Sequence, residues 1–393
     1  MSKTQEVSIS PTGEQFPLPT QAEYPAEFAR LEKRAAAARK AGQEIVVVMG
    51  VGFVGAVMAA IVADTVDKKG RPSKFVIGCQ RPSSRSFWKI PVINRGVAPV
   101  KAEDPEVDQI IARTVNEKKT LTATFNSDCL KLADCVVVDV QCDYKKNALG
   151  NMRDGEADMA ALEATMHTIG ERIPAQCLVL IETTVAPGTT EFVAWPILKR
   201  AFAARSIKGE PLLAHSFERV MPGREYVASI RDFWRVCSGC NLAARRRVEK
   251  FLREVLNTKD FPLTVMDRPI ESETTKIVEN SYRATILAYL HEWSLFAERN
   301  GVDLIKVIAP SKCARRTAIS FSPGPALAAI ACPRMAASAT GPTSTSSALK
   351  MATAFSRSPR PPLISMIRGA CTWRNSHAMR SAIWAGILPV RKC

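Results

Sequence analysis

The sequence predicts an α/β protein: a parallel sheet with helices on both faces, a long helix opening a second unit, and a tail that is largely disordered. Three observations carry this. Short β-branched runs at Ile45–Met49, Cys135–Val140 and Cys177–Ile181 recur between helix-like segments, the alternation of an open parallel sheet. From about Ile270, "ESETTKIVENSYRATILAYLHEWSLFAERNGVDLIKVI" reads as one long helix whose apolar face comprises Ile277, Tyr282, Ile286, Tyr289, Leu290 and Trp293, with Gly301 as a stop. From Ser311 to Cys393 there are 12 Lys and Arg, no Asp or Glu, and no hydrophobic period.

The tail accounts for most of the chain's net charge of +16. Positions 1–310 hold 42 basic and 38 acidic residues, so the body is close to neutral and gives no nucleic-acid footprint. The tail aromatics Phe321, Phe355, Trp373 and Trp384 are too scattered to form base-stacking platforms. No apolar run approaches the ~20 residues of a membrane span, and the first residues lack the layout of a signal peptide. The expectation is a cytoplasmic protein with no membrane partner. Its eleven cysteines then read as reduced thiols. Cys237 and Cys240 form a lone C-x-x-C without the second pair or histidines that a zinc site needs, so no metal is expected.

The elements follow in order. Residues 1–22 read as a disordered lead-in, and 23–41 as an Ala-, Glu-, Lys- and Arg-rich helix stopped at Gly42. The strand Ile45–Met49 runs into Gly50, Gly52 and Gly55, a G-x-G-x-x-G, and Ala56–Val66 continues as helix. Gly50 permits the tight turn, Gly52 lets backbone approach a pyrophosphate, and Gly55 lets helix pack on sheet, with phosphate at the helix N-terminus. Strand before and helix after make this a Rossmann-type dinucleotide site, with Phe53 and Val54 in the same turn. Phe75–Gly78 is the second strand, where an acidic residue usually holds the ribose. Here Cys79, Gln80 and Arg81 follow. Gln80 can bond a ribose hydroxyl and Arg81 can meet a 2′-phosphate, so NAD is expected and NADP stays open. Helices are expected at about 105–118 and 156–172.

Five segments in order, "VMGVGFVG", "INRGVAP", "ETTVAPGTT", "SFERVMPG" and "ESETTKIVENSYRA", resemble the UDP-glucose/GDP-mannose dehydrogenase family across about residues 44–310. These are nucleotide-sugar 6-dehydrogenases that oxidise a sugar alcohol to a uronate in two NAD-dependent steps. The "ERVMPG" form is more similar to the UDP-N-acetylhexosamine branch, such as UDP-N-acetylmannosamine dehydrogenase, than to the UDP-glucose or GDP-mannose enzymes. The resemblance implies a dinucleotide-binding domain at 44–252 after an N-terminal extension at 1–43. It also implies a truncated central domain at 253–310, which in the intact family builds a homodimer. It makes Thr184 the hydroxyl that positions a catalytic water or the cofactor, and Glu218 a glutamate that handles the acyl intermediate. Lys276 and Asn280, four apart on one helix face, become the pair that stabilises an oxyanion. Read without the family, Thr184 is a loop threonine, Glu218 a surface charge and Lys276 a solvent-facing lysine. A different Rossmann enzyme, such as a 3-hydroxyacid dehydrogenase, shares the first junction but not "ETTVAPGTT" followed by "SFERVMPG". An NAD-binding module with a basic nucleic-acid-binding tail is the remaining alternative.

The family also implies a glycine-rich loop with a nucleophilic cysteine after the long helix, close to G-G-H-C-L-P-K-D. That thiolate captures the aldehyde and carries the thioester through hydrolysis. No such motif stands in this chain. Permissible codons for Ala329–Met335, read from the third base, nevertheless encode His-Cys-Leu-Pro-Lys-Asp. The same offset turns 319–328 into a Pro- and Gly-rich loop like the family's. The expectation is a single-base insertion or deletion near codons 309–311, with residues from about Ser311 on out of frame. The chain as written then lacks the nucleophile, and Cys332 does not replace it.

Overall fold

The computed structural model describes residues 6–145 and 156–309. In chain order the elements are β1 (Val7–Ile9), β2 (Gln15–Pro17), α1 (Glu23–Lys40), β3 (Glu44–Met49), α2 (Phe53–Asp64), β4 (Lys74–Cys79), α3 (Lys89–Asn94), α4 (Pro105–Ala112), β5 (Leu121–Thr124) and β6 (Cys135–Val138). There follow β7 (Asp143–Lys145), β8 (Glu156–Asp158), α5 (Ala160–Gly170), β9 (Leu178–Ile181), α6 (Trp195–Ala204), β10 (Leu212–His215), α7 (Tyr226–Arg231), β11 (Arg235–Gly239), α8 (Leu242–Val255), β12 (Leu263–Val265), α9 (Pro269–Arg299) and α10 (Leu304–Ile308). The expected out-of-frame, disordered tail lies outside the described residues.

The chain divides into two compact units, one through Asn280 and one from Ser281. The first holds an eight-stranded sheet in the order β12-β11-β10-β9-β6-β3-β4-β5. The central strands are short apolar runs because both sheet faces are covered. Along β3, Val46 and Val48 enter one core cluster while Ile45 and Val47 enter the other. Helix α2 is apolar all round, and Ala56 to Ala63 are all buried. Lys74, buried between Glu44 and Glu254, ties the start of β4 to β3 and α8.

Three sequence expectations need correction. Residues 6–17 are not a disordered lead-in: β1 and β2 form an antiparallel hairpin with Val7 opposite Pro17. Ser8 is buried and its hydroxyl accepts from the Trp88 N–H at 3.1 Å, while Glu14 pairs with Arg95, so tertiary contacts order a segment of weak propensity. The expected helix from 156 begins only at Ala160, because Glu156–Asp158 pair with β7. The sheet is not wholly parallel, since β10 and β11 are antiparallel. The long helix ends at Arg299, where the expected stop at Gly301, at φ 63°, turns the chain, and Asp303 caps a separate helix, α10.

In the second unit, Tyr289, Trp293 and Phe296 stack edge to face along α9 and remain exposed, as does Tyr282. No helix among the described residues is long and apolar enough to cross a membrane.

Candidate active site

The glycine turn lies between β3 and α2, at the carboxyl edge of the sheet where such folds take their ligands. Gly50 has φ 95°, and a Cβ there would stand 2.8 Å from the Asp139 carbonyl oxygen. A Cβ on Gly55 would come within 1.9 Å of the Gly50 oxygen, so only glycine lets α2 approach the turn so closely. Gly52 differs. Its φ is ordinary, and a Cβ would meet nothing within 4 Å, so it faces open space. It is the N-cap of α2 and makes no side-chain cap bond. The first N–H groups of the helix are thus available to an anion, as a pyrophosphate requires.

The other residues of the turn have defined places. Phe53 is 40% exposed, stacks on Tyr226 at 4.9 Å and accepts the Tyr226 hydroxyl on its carbonyl. Val54 is half-buried. Gln80 does sit at the end of β4, but its Oε1 accepts the Val51 N–H at 3.1 Å, so it braces the turn. Arg81, beside it, is exposed.

The other cluster joins three separate segments. Thr184, after β9, donates to Glu218 Oε1 at 3.2 Å. Lys276, in α9, places its Nζ 3.1 Å from the same oxygen and 2.9 Å from the Glu218 carbonyl. The Val220 N–H donates to Glu218 Oε2 at 2.8 Å. Burial opposes the charge of Glu218, but Lys276, the Val220 N–H and Arg235 outweigh it and hold the carboxyl below its ordinary value. Glu218 and Lys276 are not surface charges: their side chains are 15% and 11% exposed. Asn280 is half-buried one turn beyond Lys276 and has a partner of its own.

Behind this cluster lies a layer that the sequence did not reveal. Arg235, 1% exposed, bonds both the Phe217 carbonyl and the Glu182 carboxylate, and Glu182 is 0% exposed. The Glu218 N–H donates to the Glu182 carbonyl at 3.1 Å, so this pair braces both loops. Glu273 accepts from Gly188 N–H at 2.5 Å and from Thr190 N–H at 2.8 Å and Oγ1 at 2.6 Å, fastening α9 to the loop that carries Thr184. His215 bonds Ser272 through Nδ1 at 2.7 Å; burial pushes its imidazole down to about 3, so it is neutral. Most of these residues, Glu182, Gly188, Thr190, Phe217, Ser272 and Glu273, stand within segments singled out above, but nothing there marked them; His215 lies outside those segments. Arg235 sits in a strand with no motif.

A cleft of about 810 Å³, lined by residues that include Arg30, Arg34, Asn116 and Lys119, contains none of the candidate site residues. Among the described residues no His, Cys, Asp and Glu cluster could hold a metal, and Cys237 and Cys240 are free thiols.

The NAD binding domain of the UDP-glucose/GDP-mannose dehydrogenase family matches residues 44–252, more than half of the chain. The chain belongs to this family. Its members are NAD-dependent nucleotide-sugar dehydrogenases, and the domain's cofactor is NAD. The chain is 27% identical over 263 residues to a UDP-N-acetyl-D-mannosamine dehydrogenase of Pyrococcus horikoshii, covering 67% of this chain and 56% of that protein. It is 25% identical to a UDP-N-acetyl-D-glucosamine 6-dehydrogenase of Pseudomonas aeruginosa, over 55% of this chain and 49% of that one. The crystal structure of an NDP-N-acetyl-D-galactosaminuronic acid dehydrogenase from Methanosarcina mazei superposes with a TM-score of 0.57 at 27% identity, covering 75% of this chain and 58% of that one. This family member thus spans about half to three-fifths of the length of the relatives it matches.

Proposed function

We propose that the chain derives from an NAD-dependent 6-dehydrogenase of a UDP-N-acetylhexosamine, and that as written it binds NAD without forming a uronate. The convergence of Thr184, Glu218 and Lys276 at one point carries this reading, because the three come from separate segments and nothing in the fold alone demands it. The substrate branch rests on "ERVMPG" and on relatives that act on N-acetylated sugars.

NAD, when bound, accepts a hydride from the C6 carbon. The Gly50–Gly55 turn and the first N–H groups of α2 would hold its pyrophosphate. Phe53 and Val54 belong to the same surface. Gln80 keeps the turn in shape, and the exposed Arg81 after β4 is available to a 2′-phosphate. Thr184, bonded to Glu218, orients a water or the cofactor. Glu218, held ionised by Lys276, is suited to take a proton from that water. The Lys276 ammonium and the Asn280 amide stabilise the negative oxygen that develops at C6. The second oxidation needs a thiolate, and the out-of-frame reading of residues beyond about 311 removes it. The exposed aromatic row on α9 suits a second copy of the intact protein, which gives the homodimer. A cytoplasmic location fits a nucleotide-sugar substrate.

The experiment is a paired assay of NADH release from UDP-N-acetylmannosamine and UDP-N-acetylglucosamine, by the chain as written and by one with the frame restored upstream of Ser311. Activity only in the restored chain supports the reading. Uronate formation by the unrestored chain would show that Cys332 or another thiol serves, and would overturn it.

A further inference from the structure

Three carboxyl groups gather at the head of the sheet, and two of them have a cation. Glu182 is bound by Arg235 and Glu218 by Lys276. Asp139 has neither, and its Oδ2 is shielded from solvent without a hydrogen-bond partner. The register explains the crowding. Met49 pairs with Val138, and Val138 with Ile181, so Gly50, Asp139 and Glu182 form the next row across three adjacent strands. The Asp139 N–H still donates to Met49 O at 2.9 Å and the Glu182 N–H to Val138 O at 3.1 Å, so the row keeps its ladder. Neighbouring strands lie roughly 4.8 Å apart, which sets two acids side by side. A Cβ built on Gly55 would stand 3.1 Å from the Asp139 Cβ, so the Asp139 side chain lies against the dinucleotide turn.

We propose that Asp139 underlies the dinucleotide turn as a neutral carboxylic acid, so that the pyrophosphate of NAD meets no negative charge from the sheet beneath it. The inference deepens the NAD-site reading and rests on it. The groups that face Asp139 are Glu182 from the end of β9, Glu218 from the loop after β10, Arg235 from β11 and Tyr226 from α7. The turn itself offers Val51, Phe53 and Val54, none of which titrates. Burial raises the Asp139 carboxyl well above its ordinary value, Glu182 and Glu218 raise it further, and Arg235, already bound to Glu182, does not compensate. Asp139 is a positioning residue here. It would touch neither the hydride nor the sugar.

The test joins a direct view of the proton to a binding measurement, both on the full chain. Infrared difference spectroscopy at neutral pH between wild type and Asp139→Asn should show one carboxylic-acid C=O band lost, and Asp139→Ser, a second neutral variant, should show the same loss. Calorimetric titration with NAD should give both variants an affinity within about twofold of wild type, since no charge is removed. A difference spectrum with only carboxylate bands would overturn the proposal. So would NAD binding tightened about tenfold or more in both variants, which would mean that an ionised Asp139 repels the pyrophosphate in the wild type, or weakened as much, since a neutral group carries no charge to lose. If wild type itself takes no NAD, the cofactor reading fails, while the infrared result still decides the state of Asp139.

Discussion

Replacing Arg235 with methionine tests how the buried layer supports the site. The side chain is 1% exposed and bonds the Glu182 carboxylate and the Phe217 carbonyl, and Glu182 is 0% exposed. Methionine fills most of the volume, so the loss is electrostatic: Glu182 is left uncompensated in the interior. Removing one partner of such a pair costs about 3–5 kcal/mol. For a unit of this size, each kcal/mol lowers Tm by about 2–4 °C, so the melting point should fall by on the order of 10 °C. Circular dichroism melts of R235M, E182M and the double variant form the assay. The double variant should regain most of the loss, because an apolar pair of similar volume replaces an ion pair at little cost. The pH dependence has a definite sign. Burial raises the Glu182 carboxyl above its ordinary value in the folded state even with Arg235 present. Without Arg235 it rises further, so the folded variant binds a proton more readily than the unfolded chain, and its deficit shrinks as pH falls. An R235M deficit that is flat with pH, or a double variant no better than R235M, would refute the reasoning.

Other outcomes follow from the same geometry. Gly55→Ala should destabilise the fold and not merely the cofactor site, because its Cβ would meet the Gly50 carbonyl at 1.9 Å; an unchanged melting point would contradict this. Glu273, raised by burial to about 7 from 4.5, should make stability fall as pH rises from about 4.5 to about 7. The fall is at most on the order of 3 kcal/mol, and denaturant titrations of Glu273→Gln should lose that slope. In a frame-restored chain, Lys276→Ala should cut NADH release by about a hundredfold or more, and a loss below about tenfold would remove it from the chemistry. Resequencing the gene around codons 305–315 checks the frame itself, and tail peptides found by mass spectrometry in native cells would contradict the shift.

The dinucleotide turn was legible because three glycines between a β-branched run and a helix state both a backbone conformation and a ligand. The central strands were legible for a related reason: burial on both faces leaves continuous apolar runs such as Ile45–Met49. The strands on the other side were hidden by what they carry. His215, Arg235 and Ser238 are polar residues inside the sheet that bond Ser272 or Glu182, and their presence breaks the apolar pattern. The N-terminal hairpin was missed because Ser8 and Glu14 gain their partners only in three dimensions. Motifs pointed to Thr184, Glu218, Lys276 and Asn280, and the fold brings the first three into contact. Asp139 could not be read at all, since its neighbour Glu182 is adjacent only through strand register.

The central claim, that this chain binds NAD at the Gly50–Gly55 turn, is tested most directly by calorimetric titration of NAD into the wild-type chain and Gly52→Val. A Cβ at Gly52 meets no protein atom within 4 Å, so the variant should lose only about 1 kcal/mol through its poorer N-cap. It should nevertheless block the approach of the pyrophosphate. The account predicts one NAD bound per wild-type chain and none detectable in a folded Gly52→Val. No heat of binding in wild type, or equal affinity in the two proteins, would contradict it.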